Sequence, residues 1–88
     1  MQTGVYRHYK GMEYRVLCVA KLEETLEEAV VYQALYGDYT VWIRPLSVFQ
    51  EGISIPEFEY TGPRFQYVRP WTPKEAKKHP HALAFLPS

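Results

Sequence analysis

Short β-prone runs, each stopped by glycine or proline punctuation, limit this chain to a small, mostly β architecture. Val5-Tyr6-Arg7-His8-Tyr9 ends at the turn signal Lys10-Gly11, and Tyr14-Arg15-Val16-Leu17-Cys18-Val19-Ala20 is the longest run. Ala29-Val30-Val31-Tyr32-Gln33-Ala34 and Tyr39-Thr40-Val41-Trp42-Ile43-Arg44 flank Gly37-Asp38, which predicts a hairpin. Pro45 cannot donate to a ladder, so that strand should stop there. Arg64-Phe65-Gln66-Tyr67-Val68, after Gly62-Pro63, alternates well enough to close the sheet. About five strands without a long helix predict a small barrel or strongly bent sheet.

The remaining segments read as connections. Leu22-Glu23-Glu24-Thr25-Leu26-Glu27-Glu28 is too short for an independent helix and reads as an acidic loop with some helical character. Leu46-Ser47-Val48-Phe49 fits one 3₁₀ turn that plugs apolar side chains into an open barrel end, and residues 50–59 read as mostly connection. Thr72-Pro73-Lys74-Glu75 is a capping box with proline at the first helical position, predicting a short helix through Lys78. These features divide the chain into a barrel over residues 1–68 and an extension over residues 69–88. Leu83, Phe85 and Leu86 in the extension should be covered, either by the chain's own barrel or by a second copy in a homodimer.

One expected core contains Val16, Cys18, Val30, Tyr32, Val41, Ile43 and Leu46, with Leu17 and Val19 replacing Val16 and Cys18 if a bulge intervenes. On that reading Ile43→Ala costs roughly 2 to 4 kcal/mol.

The N-terminus lacks the basic and apolar regions of a signal peptide, and no apolar run approaches the roughly 20 residues of a membrane span. Cys18 is the only cysteine, so no intrachain disulfide forms, and a reducing cytoplasmic compartment is expected. Formal net charge is zero, unlike the basic excess of phosphate-backbone binders. The distribution is uneven: Lys21 stands alone against Glu23, Glu24, Glu27, Glu28 and Asp38, while Arg64, Arg69, Lys74, Lys77 and Lys78 face only Glu75. Solvated faces are the simplest account of both clusters.

The ordered matches Gly4-Val5-Tyr6-Arg7-His8-Tyr9-Lys10-Gly11, Tyr14, Val16, Glu24-Thr25, Glu27, Val31-Tyr32, Leu35-Tyr36-Gly37-Asp38, Trp42-Ile43-Arg44-Pro45-Leu46, Phe49 and Pro63-Arg64-Phe65 resemble the bacterial family called domain of unknown function 1653. The resemblance runs from Gly4 to Phe65 and implies an SH3-like small β-barrel. It implies no activity, cofactor or catalytic residue.

The residues themselves announce no catalytic motif. Cys18 in an apolar run reads as core, and Glu24 and Glu27 as solvated carboxylates. His79 and His81 lack the third and fourth ligands of a metal site, so neither metal nor cofactor is expected. A barrel filled by its own core leaves little room for a substrate, which favours a non-catalytic binding module. Candidate binding residues are Tyr6, Arg7, His8, Tyr9, Trp42 and Arg44, where aromatic and basic side chains interleave. They have two readings. Outward, they form a surface for a protein or peptide partner, or alternatively for RNA or single-stranded DNA; inward, Trp42 and the tyrosines are architecture and Arg44 pairs with an acidic residue. A small-molecule sensor or enzyme accessory domain is a third option and requires a pocket.

Overall fold

The structure, a computed structural model, describes residues 1–84. Strands β1 (Gly4–His8), β2 (Glu13–Lys21), β3 (Glu28–Ala34) and β4 (Val41–Pro45) form an antiparallel meander. One helical turn, α1 (Leu46–Phe49), leads to a hairpin of β5 (Gly52–Ile55) and β6 (Tyr60–Pro63) joined through a 3₁₀ turn at Pro56–Phe58. The chain returns as β7 (Phe65–Arg69) beside β1, giving a five-stranded sheet in the order β4-β3-β2-β1-β7, and ends in helix α2 (Pro73–Lys78). The protein is therefore mostly β, as expected, with seven strands in two antiparallel sheets where about five were counted. The additional pair comes from residues 52–63, where the two-residue alternation of Ile53 and Ile55 is a real strand paired with Tyr60–Pro63.

Two register irregularities bend the sheet. One lies between Val16 and Cys18, so that Val16 and Leu17 are both buried while Cys18 is half-buried and Val19 exposed. The other lies between Val5 and Tyr6, next to Gly4, whose φ of +127° is open to glycine and whose absent Cβ would stand 2.8 Å from the Arg69 carbonyl oxygen. The concave face carries Tyr6, Tyr14, Val16, Val30, Tyr32, Ala34, Phe49 and Phe65, with Met12, Leu46 and Tyr67 packed at its margin. Phe49 of α1 stacks on Phe65 of β7 at 4.3 Å and meets Tyr32 of β3 edge-on at 5.3 Å. The apolar plug expected at residues 46–49 thus exists, as an α-helical turn. Although β4 and β7 remain the edges of the ladder, both converge on this core.

The expected inward orientation of Val41 and Ile43 is overturned: they are 42% and 65% exposed. Register explains why. Trp42 faces Tyr32 and Arg44 faces Val30 across the β3–β4 ladder, so Trp42 and Arg44 share the core face and the two β-branched residues take the other. On an edge strand, Val and Ile serve the backbone conformation without needing burial.

The convex face carries Val5, Arg15 and Gln33, all buried beside the C-terminal segment. Arg15 donates to the Leu83 carbonyl at 2.7 Å and lies over Trp71, while Gln33 accepts from the Leu83 amide at 3.0 Å. Thr72 caps α2 by accepting from the Glu75 amide, as the capping box predicts. The Glu75 carboxylate turns instead to Arg69, which also binds Glu13 at 2.7 Å. The segment is thus fastened to its own sheet through the Leu83 backbone, but the Leu83 side chain, expected to be covered, is 47% exposed; Phe85 and Leu86 lie outside the described residues. Residues 22–27 close the β2–β3 hairpin as a turn with Leu26 at positive φ, not as a helix. Among the described residues no helix is long and apolar enough to cross a membrane.

Candidate functional site

Alternation along β1 separates the first four candidate residues. Tyr6 points into the core, 7% exposed, with its hydroxyl donating to the Gln2 carbonyl and its ring edge-on to Phe49 and Tyr67. Arg7 points to the convex face and pairs with Glu13 at 2.9 Å. Tyr6 is therefore part of the core, whereas Arg7 stays exposed on the opposite face. His8 returns to the concave face, half-buried, 5.0 Å from the Phe65 ring and 4.3 Å from Tyr9. Tyr9 stacks on Tyr60 at 5.8 Å and lies 6.2 Å from Phe58, which is exposed at the 3₁₀ turn.

From the opposite edge, Arg44 reaches the same region. Its Nε donates to the Tyr32 hydroxyl at 3.2 Å and its guanidinium carbon lies 5.7 Å from the Phe65 centroid. Trp42, two residues away on the same strand face, is 51% exposed. Arg64 completes the group. Its carbonyl accepts from the Tyr9 amide, and its Nε is buried without a hydrogen-bond partner among the described residues. Tyr14 meets the exposed Tyr36 hydroxyl to hydroxyl at 2.6 Å beside His8.

The fold brings His8 and Arg44 to the same Phe65 ring, with Tyr9 against His8 and Trp42 two residues from Arg44 on β4, while Tyr6 lies in the core and Arg7 faces the other way. It adds Arg64, Tyr60 and Phe58. Their approach depends on β1–β7 pairing, a contact between distant parts of the chain; the only local signal was Pro63-Arg64-Phe65 itself. The electrostatics are one-sided. Burial lowers the His8 pKa below the ordinary 6.5, and the positive charges of Lys10, Arg64 and Arg44 lower it further. Among the described residues, the ion pairs of this protein engage Arg7 and Arg69, and no carboxylate pairs with Arg44, Arg64 or Lys10. Such an arrangement can hold an anion and stack a planar or aromatic group beside it.

Two concavities adjoin the core. One of about 320 Å³ is lined by Met1, Gln2, Tyr6, Phe49, Gln50 and Phe65. The other, about 490 Å³, lies between the convex face and the C-terminal segment, walled by Arg15, Trp71, Ala76, His79 and Leu83. Among the described residues no group of three His, Cys, Asp or Glu side chains is placed to hold a metal ion.

Residues 4–67 match a family model described as "Protein of unknown function (DUF1653)". A crystal structure of a DUF1653 protein from Bordetella bronchiseptica is similar to the chain, at 39% identity over 83% of this chain and 94% of that one, with a TM-score of 0.72. No curated protein matches the sequence significantly.

Proposed function

We propose that this chain, which belongs to the DUF1653 family of proteins of unknown function, is a small non-catalytic binding module for a protein or peptide partner. We read its curled sheet as an SH3-like barrel left open between β4 and β7, with the opening as the docking surface. One observation carries this reading. Arg44 and His8 both approach the Phe65 ring, half-exposed Trp42 shares the Arg44 face of β4, and Tyr9 links His8 to the Tyr9–Tyr60 stack, with no carboxylate paired to Arg44 or Arg64 among the described residues. Exposed aromatics beside unpaired guanidinium groups are what peptide-binding surfaces use for affinity and orientation.

The Tyr9–Tyr60 stack also suits a base of single-stranded RNA or DNA, the second reading of the same surface. A steep fall in affinity with salt marks that mode, and peptide docking lacks it.

Selection from a random peptide display library tests the function. Sequences enriched on the wild-type protein should lose binding to the Trp42→Ala, Arg44→Gln double variant while its circular dichroism stays unchanged. Enrichment no higher than on a blank surface, or equal binding to the double variant, overturns the reading.

A further inference from the structure

We infer that the partner presents a single acidic side chain, an aspartate or glutamate carboxylate of a peptide, to the cationic cluster of His8, Arg44 and Arg64 beside Phe65. This inference rests on the binding-module reading and names the chemistry that this cationic cluster takes.

Arg44 and His8 flank the same Phe65 ring, at 5.7 Å and 5.0 Å, and Arg64 is the residue next to it in the chain. A buried guanidinium N–H without a partner costs free energy, and Arg64 Nε is such a group among the described residues. A carboxylate arriving beside it pairs with the guanidinium groups of Arg64 and Arg44 through its two oxygens, in a charge-assisted, often bidentate geometry. His8 is already shielded and surrounded by positive charge, which an incoming carboxylate would neutralise.

The surroundings favour one anionic group over a polyanion. At the Arg44 end, Val30 faces Arg44 across the ladder and leads back to Glu28 and the acidic turn with Glu23, Glu24 and Glu27. At the Tyr9 end, exposed Glu57 and Glu59 flank Phe58. A phosphate backbone running along the surface in either direction meets these carboxylates. A peptide with one acidic residue between aromatic or apolar neighbours does not. Its neighbours fall on Trp42 at one side and on Tyr9, Tyr60 and Phe58 at the other.

The test uses capped pentapeptides of leucine and tyrosine around one central residue, glutamate or glutamine, and a ten-residue oligo-uridine, each titrated into the full chain and followed by NMR. The glutamate peptide should bind at least tenfold tighter than the glutamine peptide and raise the His8 titration midpoint. The Arg44→Gln, Arg64→Gln variant should erase the tenfold difference while retaining the weaker binding common to both peptides. Arg44→Lys, Arg64→Lys provides a second variant that keeps the charge and should recover part of the preference. Equal affinity for both peptides overturns the single-carboxylate inference alone, and so does a glutamate preference that survives in the glutamine variant. Failure of both peptides to bind removes the binding-module reading as well. Tighter binding of the oligo-uridine with a steep salt dependence replaces both with the nucleic-acid reading.

Discussion

Arg44 and Phe65 stand on the two opposite edge strands of one sheet, yet the guanidinium carbon of the first lies 5.7 Å from the ring centroid of the second. Curvature brings the edges together, and the register irregularities with an extra residue in β7, at Val68, and in β2, at Leu17, contribute to it. The gap between them is occupied by side chains: Phe49 stacks on Phe65, and Tyr32 hydrogen-bonds Arg44. The fold and the proposed surface are thus two sides of one packing solution.

That solution assigns stability to Phe49 and Phe65, not to the outward residues of β4. Phe65→Ala should cost about 3 to 5 kcal/mol, and Phe49→Ala a similar amount, through lost burial and the cavity left behind. Ile43→Ala should stay within about 0.5 kcal/mol because the side chain is mostly in solvent. Urea denaturation of the three variants checks the contrast.

What the sequence revealed and what it concealed follow from interaction range. The α2 cap was legible because Thr72, Pro73 and Glu75 act on one another within a single helical turn. The β3–β4 hairpin was legible from Gly37-Asp38, and Gly37 does adopt positive φ. The face of β4 was not: alternation assigns Val41 and Ile43 to one side and Trp42 and Arg44 to the other, but only the register with Tyr32 decides which side is core. Arg64 escaped for a related reason, since its neighbours Tyr9 and His8 come to it through β1–β7 pairing.

Gly4 should tolerate no side chain. Its φ of +127° disfavours L residues, and a Cβ would press on the Arg69 backbone carbonyl. Gly4→Ala should destabilise the protein by about 1 to 3 kcal/mol and disturb the β1–β7 register, seen as lost amide protection in β7 by hydrogen exchange.

The Arg69 bridge makes a pH-dependent contribution. Hydrogen bonds from Arg69 hold the carboxyl groups of Glu13 and Glu75 below their ordinary 4.5, with Arg7 assisting at Glu13. Depressed folded-state values mean that the carboxylates add stability above about pH 4.5 and that it is lost as pH falls from there through the folded values. Arg69→Met leaves Glu75 buried without its partner and should cost about 2 to 4 kcal/mol at neutral pH, less than a fully buried pair because Arg69 is partly exposed. Thermal melts between pH 3 and 7 should show a steep acid limb for the wild type and a flatter one for the variant.

Neutralising the cations around His8 should release it in part. Burial is the main cause of its lowered pKa, so Arg44→Gln or Arg64→Gln should move the midpoint toward 6.5 without reaching it. Proton NMR of the imidazole across the titration reads the shift directly.

The most direct measurement is an amide and side-chain NMR map of the full chain titrated with the glutamate pentapeptide. The account predicts that shifts concentrate on the Trp42 indole, Arg44, His8, Tyr9 and Arg64, with Trp71 and His79 on the far side of the sheet unmoved. Shifts confined to Trp71 and His79, or none at saturating peptide, would contradict it.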